Sequence, residues 1–179
     1  EVTWELLITD EDIEPLSLTT FDKGFAYTRV ADERRTLVVR NTVGQVAAEL
    51  DMGTTRLCPF PVNCGQQDFS SLLHLEGTRF MAALQTTDPL QLLDTADGSS
   101  VTVTPIEDFV HCCQYYAQLR LDTDGSVIAS TTTGVENPIL SMLRLNAQGR
   151  PLDNLGQSFL GSIDRLEDVA ILVDRDIVF

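Results

Sequence analysis

Three single glycines, Gly44, Gly98 and Gly149, lie in polar turns and recur at a spacing of roughly 50 residues. Each separates two short segments rich in Val, Leu, Ile and Thr, which is typical of a hairpin whose turn needs a positive φ. A strand–turn–strand–turn–strand unit recurring at this period predicts an all-β fold built from repeats.

Three stretches share this arrangement, and they span residues 25–50, 80–104 and 127–152. Short β-prone runs between Gly-, Asp- and Asn-containing turns predict strands along most of the chain. These strands are residues 4–9, 25–30, 36–40, 80–85, 90–94, 101–104, 119–121, 127–131, 141–145 and 169–174. Two further segments, 68–75 and 108–118, fit either a short helix or a strand.

The repeat favours blades of the β-propeller type, in which each blade is a small antiparallel sheet. A two-sheet β-sandwich is the alternative, because isolated hairpins give a similar pattern. A fourth copy is expected to begin at Asp164 and to stop at Phe179 before its hairpin is complete. Residues 1–179 are therefore interpreted as one repeat-built domain of about three and a half blades, closed by a shared blade or forming a fragment or subunit of a larger propeller.

One part of the chain resembles a known family. Residues 121–129 read LDTDGSVIA and residues 143–153 read LRLNAQGRPLD. This run is similar to the repeat of bacterial β-propeller proteins, which has a DG turn, an apolar strand and an R-L-N-x-x-G-x-x-D hairpin. The match is weaker over 80–104 and poor elsewhere. The resemblance implies a propeller fold and no particular activity, since propellers carry binding modules, hydrolases and quinone enzymes.

The charge of the chain limits its partners. There are 27 acidic and 12 basic residues, for a net charge of −15, and Lys23 is the only lysine. Such a surface repels phosphate backbones and anionic membranes, so nucleic-acid binding is not expected. The apolar runs of the sequence are far shorter than a membrane span, so membrane insertion is not expected either. The acidic surface attracts cations or basic partners, or serves solubility alone.

The four cysteines predict disulfides. Cys58 and Cys64 bracket a short loop stiffened by two prolines, and we expect them to bond to each other. Cys112 and Cys113 would then pair together, although all three connectivities of four cysteines stay open. A vicinal Cys112–Cys113 disulfide would resemble a feature of some quinone-dependent propeller dehydrogenases, whose other motifs are not visible here. Oxidised cysteines imply an extracytoplasmic or secreted protein, whereas four reduced, buried cysteines would imply a cytosolic one.

The only candidate metal ligands at a suggestive spacing are Asp122 and Asp124, which precede a glycine as in calcium loops. A simple hairpin turn explains the same residues, as it does Asp94 and Asp97 before Gly98. A second acidic group near the C-terminus favours a solvated strand edge over a cation site. Its members are Asp164, Glu167, Asp168, Asp174 and Asp176.

Catalytic signals are weak. His74 and His111 are the only histidines, and no G-x-S-x-G motif is present. His111 next to Cys112 is a poor base–nucleophile pair, because neighbouring strand residues point to opposite faces. No cofactor is expected, and Ca²⁺ is the only ion for which a site is considered.

The sequence therefore predicts a non-enzymatic binding or assembly module of the β-propeller type, which contacts a protein partner or further copies of itself through open sheet edges. The alternatives are a metal-assisted hydrolase or lactonase on a propeller and a structural subunit that pairs through those edges. The terminal segments 2–9 and 169–179 are expected to be covered, either by each other or by another polypeptide.

Overall fold

The protein is an all-β chain in the parts that its computed structural model describes, which are residues 10–14, 17–54, 69–84, 90–103, 114–133, 139–159, 170–171 and 177–178. Every regular element within these ranges is a strand. The all-β prediction is confirmed for them. These ranges accordingly contain no helix with the length and hydropathy that a membrane crossing requires.

Twelve of the strands form three antiparallel sheets of four strands each. The first sheet contains β1 (Thr19–Phe21), β2 (Gly24–Ala31), β3 (Arg34–Asn41) and β4 (Val46–Thr54). The second contains β5 (Phe69–His74), β6 (Arg79–Leu84), β7 (Leu90–Asp94) and β8 (Ser99–Val103). The third contains β9 (Gln114–Leu121), β10 (Val127–Thr133), β11 (Ile139–Leu145) and β12 (Pro151–Phe159). In each sheet the spatial order of the strands follows the chain.

The three turn glycines occupy the same place in each sheet, between its third and fourth strands. Gly44, Gly98 and Gly149 have φ angles of 80°, 72° and 72°. In this region a side chain is strained, which is why glycine recurs there. The predicted hairpin turns are confirmed. Asn41 and Asn146 open two of them in the same way, since each side-chain oxygen accepts two backbone N–H groups of its own turn.

The first strand of each sheet was the least predictable from the sequence, since β1 was not predicted and only residues 119–121 of β9 were predicted as a strand. β1 has only three residues, while β5 and most of β9 lie in the segments that fitted a helix or a strand equally well. The expectation of an incomplete C-terminal hairpin is also wrong. Ala170–Ile171 (β13) pairs antiparallel with Ile177–Val178 (β14), and strands of two residues are too short to give a readable alternation.

The second sheet packs between the other two. Phe80 and Met81 are successive residues of β6 with exposures of 1% and 0%, so both faces of the sheet are buried. Phe80 belongs to a core shared with the first sheet, and Met81 to a core shared with the third. The first core contains Ala26, Leu37, Val39, Leu50, Met52, Leu72, Phe80, Ala82 and Leu93. The second contains Met81, Ala83, Leu90, Leu119, Val127, Ala129, Leu143 and Leu145.

The first strands of neighbouring sheets also meet. β1 contacts β5, and β5 contacts β9. The ring of Phe21 on β1 stacks on His74 of β5 with 4.4 Å between centroids, and the Leu119 amide of β9 donates to the Ser71 hydroxyl of β5 at 3.2 Å. The described sheets are therefore joined in series, from the first to the second and from the second to the third.

Candidate functional site

Residues 10–14 lie along the edge of β2 and extend the line of β1. The Val30 amide donates to the Asp12 carbonyl at 3.0 Å, and the Glu14 amide donates to the Thr28 carbonyl at 2.9 Å. Ile13 forms an antiparallel bridge with Arg29. We call residues 10–14 the edge segment, because they add backbone pairing to β2 beyond the end of β1.

Ser17 follows the edge segment in the chain and supplies a side-chain partner to β2. Its side chain is fully buried, and its oxygen accepts the Thr28 amide at 3.0 Å while its hydroxyl donates to the Glu14 carbonyl at 2.8 Å. A buried amide without a partner is costly, so this hydroxyl replaces the backbone partner that a continuous strand would supply.

Glu14 forms the most buried ion pair in the described part of the chain. Arg35 on β3 donates from Nε to Oε2 and from Nη2 to Oε1, both at 2.6 Å, and its side chain is only 3% exposed. The Thr28 hydroxyl donates to Oε2 at 2.7 Å. Two parallel bonds of this kind fix both distance and orientation, so Glu14 is held in one position on the sheet.

Asp10 is held by the other face of the first sheet. The Tyr27 hydroxyl donates a short hydrogen bond to Oδ2 of Asp10, and Arg40 donates from Nε to the Tyr27 oxygen at 2.8 Å and from Nη2 to Asp10 at 3.4 Å. The bond from Tyr27 lowers the pKa of Asp10, with further lowering by Arg40 and Arg29. Burial and the same bond raise the pKa of Tyr27. The carboxylate is therefore kept charged and the phenol neutral.

Basic side chains are concentrated on the first sheet. Arg29, Arg34, Arg35 and Arg40 account for four of the 12 basic residues of the chain. Each one contacts a carboxylate. In addition to the pairs above, Arg29 meets Glu49 at 3.2 Å and the exposed Arg34 pairs with Asp51. No prediction from the sequence used this group, although four arginines within twelve residues of an acidic chain are a readable signal.

The predicted calcium pair lies in the turn between β9 and β10. Oδ1 of Asp124 accepts the Ser126 amide at 3.0 Å and the Ser126 hydroxyl at 2.6 Å, while Oδ2 accepts from Arg144. Oδ1 of Asp122 accepts the Thr123 amide at 2.7 Å, and its Oδ2 lies 3.8 Å from Nε of Arg144. A cation at this pair would have to compete with the guanidinium.

Asp94 and Asp97 likewise serve their own turn. Asp94 accepts from the Thr78 hydroxyl at 2.7 Å and from the Ala96 amide at 3.0 Å. Asp97 accepts the Ser99 amide at 2.8 Å, and hydrogen bonds from Ser99 lower its pKa. These contacts are those of turn-forming aspartates.

His74 is placed as a packing residue. Its ring stacks on Phe21 and meets Phe80 edge-on in a cluster of three rings, and Nε2 is 3.2 Å from the Gly77 carbonyl. No serine or cysteine nucleophile is among its described contacts. A group of three or more acidic, histidine or cysteine side chains able to hold a metal was not found within the described ranges.

Several predicted residues lie outside the described ranges. They are the four cysteines Cys58, Cys64, Cys112 and Cys113, together with His111, the acidic group at 164–168 and 174–176, and the terminal segment 2–9. The disulfides, the extracytoplasmic location and the pairing of the chain ends stay predictions.

The fourth strands form the outer edges of the sheets. β4, β8 and β12 each have one neighbouring strand, and no other described strand pairs with their second edge. Among the side chains that the structure describes, each fourth strand also presents a large apolar one to solvent, namely Val46 (48% exposed), Val101 (55%) and Leu152 (52%).

Comparisons with protein-family models, curated proteins and solved structures found no match.

Proposed function

We propose that the three described sheets are consecutive blades of a propeller-type array. Two features support this over a two-sheet sandwich. The second sheet is buried on both faces by its sequence neighbours, whereas each sheet of a sandwich has one inner face. The first strands meet in series, from β1 to β5 to β9, as the inner strands of adjacent blades do.

We further propose that the chain is a non-enzymatic module that binds protein through the fourth strands of these blades. The observation that carries this proposal is the coincidence of unpaired edge and exposed apolar side chain on all three described fourth strands. An edge strand offers a row of backbone donors and acceptors to an incoming strand. An apolar side chain beside it adds burial on contact, worth about 1.5–3 kcal/mol when complete.

Assembly between copies is the form of this function that is simplest to test. Sedimentation velocity over a range of protein concentrations should show association of the natural chain. The triple variant Val46→Lys, Val101→Lys and Leu152→Lys should sediment as a monomer throughout, because lysine at an edge strand opposes pairing.

A matched control carries the same three charge changes at exposed residues off the fourth strands. It combines Leu18→Lys, Val43→Lys and Leu121→Lys. We expect this control to associate like the natural chain. Equal loss of association in both variants would indicate a general charge effect and contradict an edge-specific contact, and a natural chain that stays monomeric would remove assembly between copies.

The extracytoplasmic location is part of the same proposal and rests on the cysteines. Intact-mass analysis after alkylation, with and without reductant, counts the thiols. Two disulfides would support the location, while four reactive thiols in freshly isolated protein would contradict it.

A further inference from the structure

The edge segment is an acidic peptide bound as an added strand. Four of its five residues, 10–14, are acidic. It pairs with β2 through backbone hydrogen bonds at Asp12 and Glu14, and it places one carboxylate at each end into contact with an arginine. Backbone pairing that supplies affinity and side-chain contacts that supply specificity are the two components of recognition by strand addition.

The receiving groups all belong to β2 and β3. Tyr27 and Thr28 are successive residues of β2, so their side chains lie on opposite faces of the sheet. Asp10 bonds to the first and Glu14 to the second. The edge segment is therefore held from both faces, by Arg40 with Tyr27 on one side and by Arg35 with Thr28 on the other.

We propose that this edge of β2 is a recognition site for an extended acidic strand, which the chain's own residues 10–14 occupy. The site selects two carboxylates separated by three residues, matched to Arg40 and Arg35. Another acidic strand of this spacing binds when it displaces the edge segment. The site lies on the second strand of its sheet, so the inference does not depend on contacts through the fourth strands.

The affinity measured for a separate peptide depends on its competition with the edge segment for the same site. A segment joined to its own site acts at an effective concentration in the millimolar range, so a separate peptide competes poorly with it. Weakening one contact of the edge segment opens the site to a competitor while the receiving groups stay intact. Glu14→Gln does this, because it removes the charge that Arg35 pairs with.

The probe is a fluorescently labelled synthetic peptide of residues 8–18, with anisotropy as the readout. The full chain carrying Glu14→Gln should bind this peptide at least about tenfold more tightly than the natural chain does, because loss of a charge-assisted pair weakens the competing segment by that order. Adding Arg35→Gln to Glu14→Gln should abolish the gain, since the peptide's own glutamate then has no arginine to pair with and keeps only the Thr28 hydroxyl.

Two controls separate recognition from general changes of charge. Asp51→Asn removes an equal charge from the first sheet at a residue that pairs with Arg34 and not with an arginine that contacts the edge segment, and it should leave peptide binding at the natural level. Arg34→Gln, added to Glu14→Gln, removes an arginine of β3 that pairs with Asp51 instead, and it should keep the gain.

The inference fails if Glu14→Gln binds the peptide no better than the natural chain. It also fails if Arg35→Gln and Arg34→Gln, each added to Glu14→Gln, change peptide affinity to the same extent. Circular dichroism and the urea midpoint establish that each variant is folded. Should Glu14→Gln not fold, Asp10→Asn weakens the other end of the segment and makes the same prediction, with Arg40→Gln as the change that abolishes the gain. Failure here leaves the fourth-strand edges untouched, and loss of edge association leaves peptide binding untouched.

Discussion

The first and third sheets use the same arginine–carboxylate chemistry under different conditions. In the third sheet, Asp124 is about half exposed and is already held by the backbone and hydroxyl of its own turn. In the first sheet, Arg35 is 3% exposed and Glu14 12% exposed, and the pair joins β3 to a separate segment. In the third sheet, Arg144 therefore adds a contact to a turn that its own residues already form. In the first sheet, Arg35 holds the edge segment in place.

This difference should appear as unequal costs of losing the arginine. Arg35→Met leaves the Glu14 carboxylate partly buried without its positively charged partner, and breaking a buried pair in this way lowers the free energy of unfolding by about 3–5 kcal/mol. Arg144→Met should cost about 1–2 kcal/mol, because solvent reaches Asp124. Urea denaturation of the two variants and the natural chain measures both values. Equal losses would contradict the comparison.

Loss of the serine hydroxyl should also cost more stability in the first sheet, at Ser17, than in the third sheet, at Ser126. Ser17→Ala removes the acceptor of the buried Thr28 amide, at a cost of about 1–3 kcal/mol. Ser126→Ala should cost less, about 1 kcal/mol, because the hydroxyl is one of several groups around Asp124 and Arg144. Hydrogen exchange at the Thr28 amide gives a local readout, which should accelerate in the Ser17 variant and stay unchanged in the Ser126 variant.

The contrast also explains what the sequence could predict. Turns such as Asn146 to Gly149 and Asp122 to Gly125 are specified by residues within a few positions, so local patterns found them. The β-prone runs that form β2, β3, β6 and β7 were readable for the same reason. These turns and strands could therefore be predicted from residues that are close together in the sequence.

The edge segment was not predictable in that way. Glu14 and Arg35 are 21 residues apart, and Asp10 and Arg40 are 30 apart. Their pairing depends on how β2 and β3 place an arginine beside a segment that has little β propensity of its own. The short β1 was missed and β5 was left open between helix and strand, because their pairing partners, rather than their composition, make them strands.

The contribution of Asp10 to the free energy of unfolding should depend on pH. Its pKa lies below the ordinary 3.8 in the folded chain, chiefly because Tyr27 donates to it. A carboxyl with a lowered folded-state pKa stabilises the fold above its unfolded pKa and loses that contribution as the pH falls through the folded value. The difference in unfolding free energy between the natural chain and Asp10→Asn should therefore be constant from pH 7 to 5 and shrink below pH 3.8.

Asp97 provides the control for this titration. Its pKa is also lowered, mainly by hydrogen bonds from Ser99, but within an exposed turn. Asp97→Asn should change the unfolding free energy only slightly at any pH, and hydrogen exchange of the edge segment should not respond to it. A large, pH-dependent loss in Asp97→Asn would mean that local turn bonds matter as much as the long-range contacts of the first sheet.

The smallest effect is expected at the pair considered for calcium. Calcium takes six to eight oxygen ligands, whereas the oxygens of Asp124 already accept from Ser126 and Arg144. An ion would have to displace a guanidinium from Asp124 and gain too few oxygens in return. Millimolar Ca²⁺ should therefore shift the Tm by less than about 1 °C, and Asp124→Asn should lower the unfolding free energy by no more than about 1 kcal/mol with or without it. A rise of several degrees that disappears in Asp124→Asn would instead show that the turn exchanges its arginine for a metal, and the third sheet would then hold the functional site.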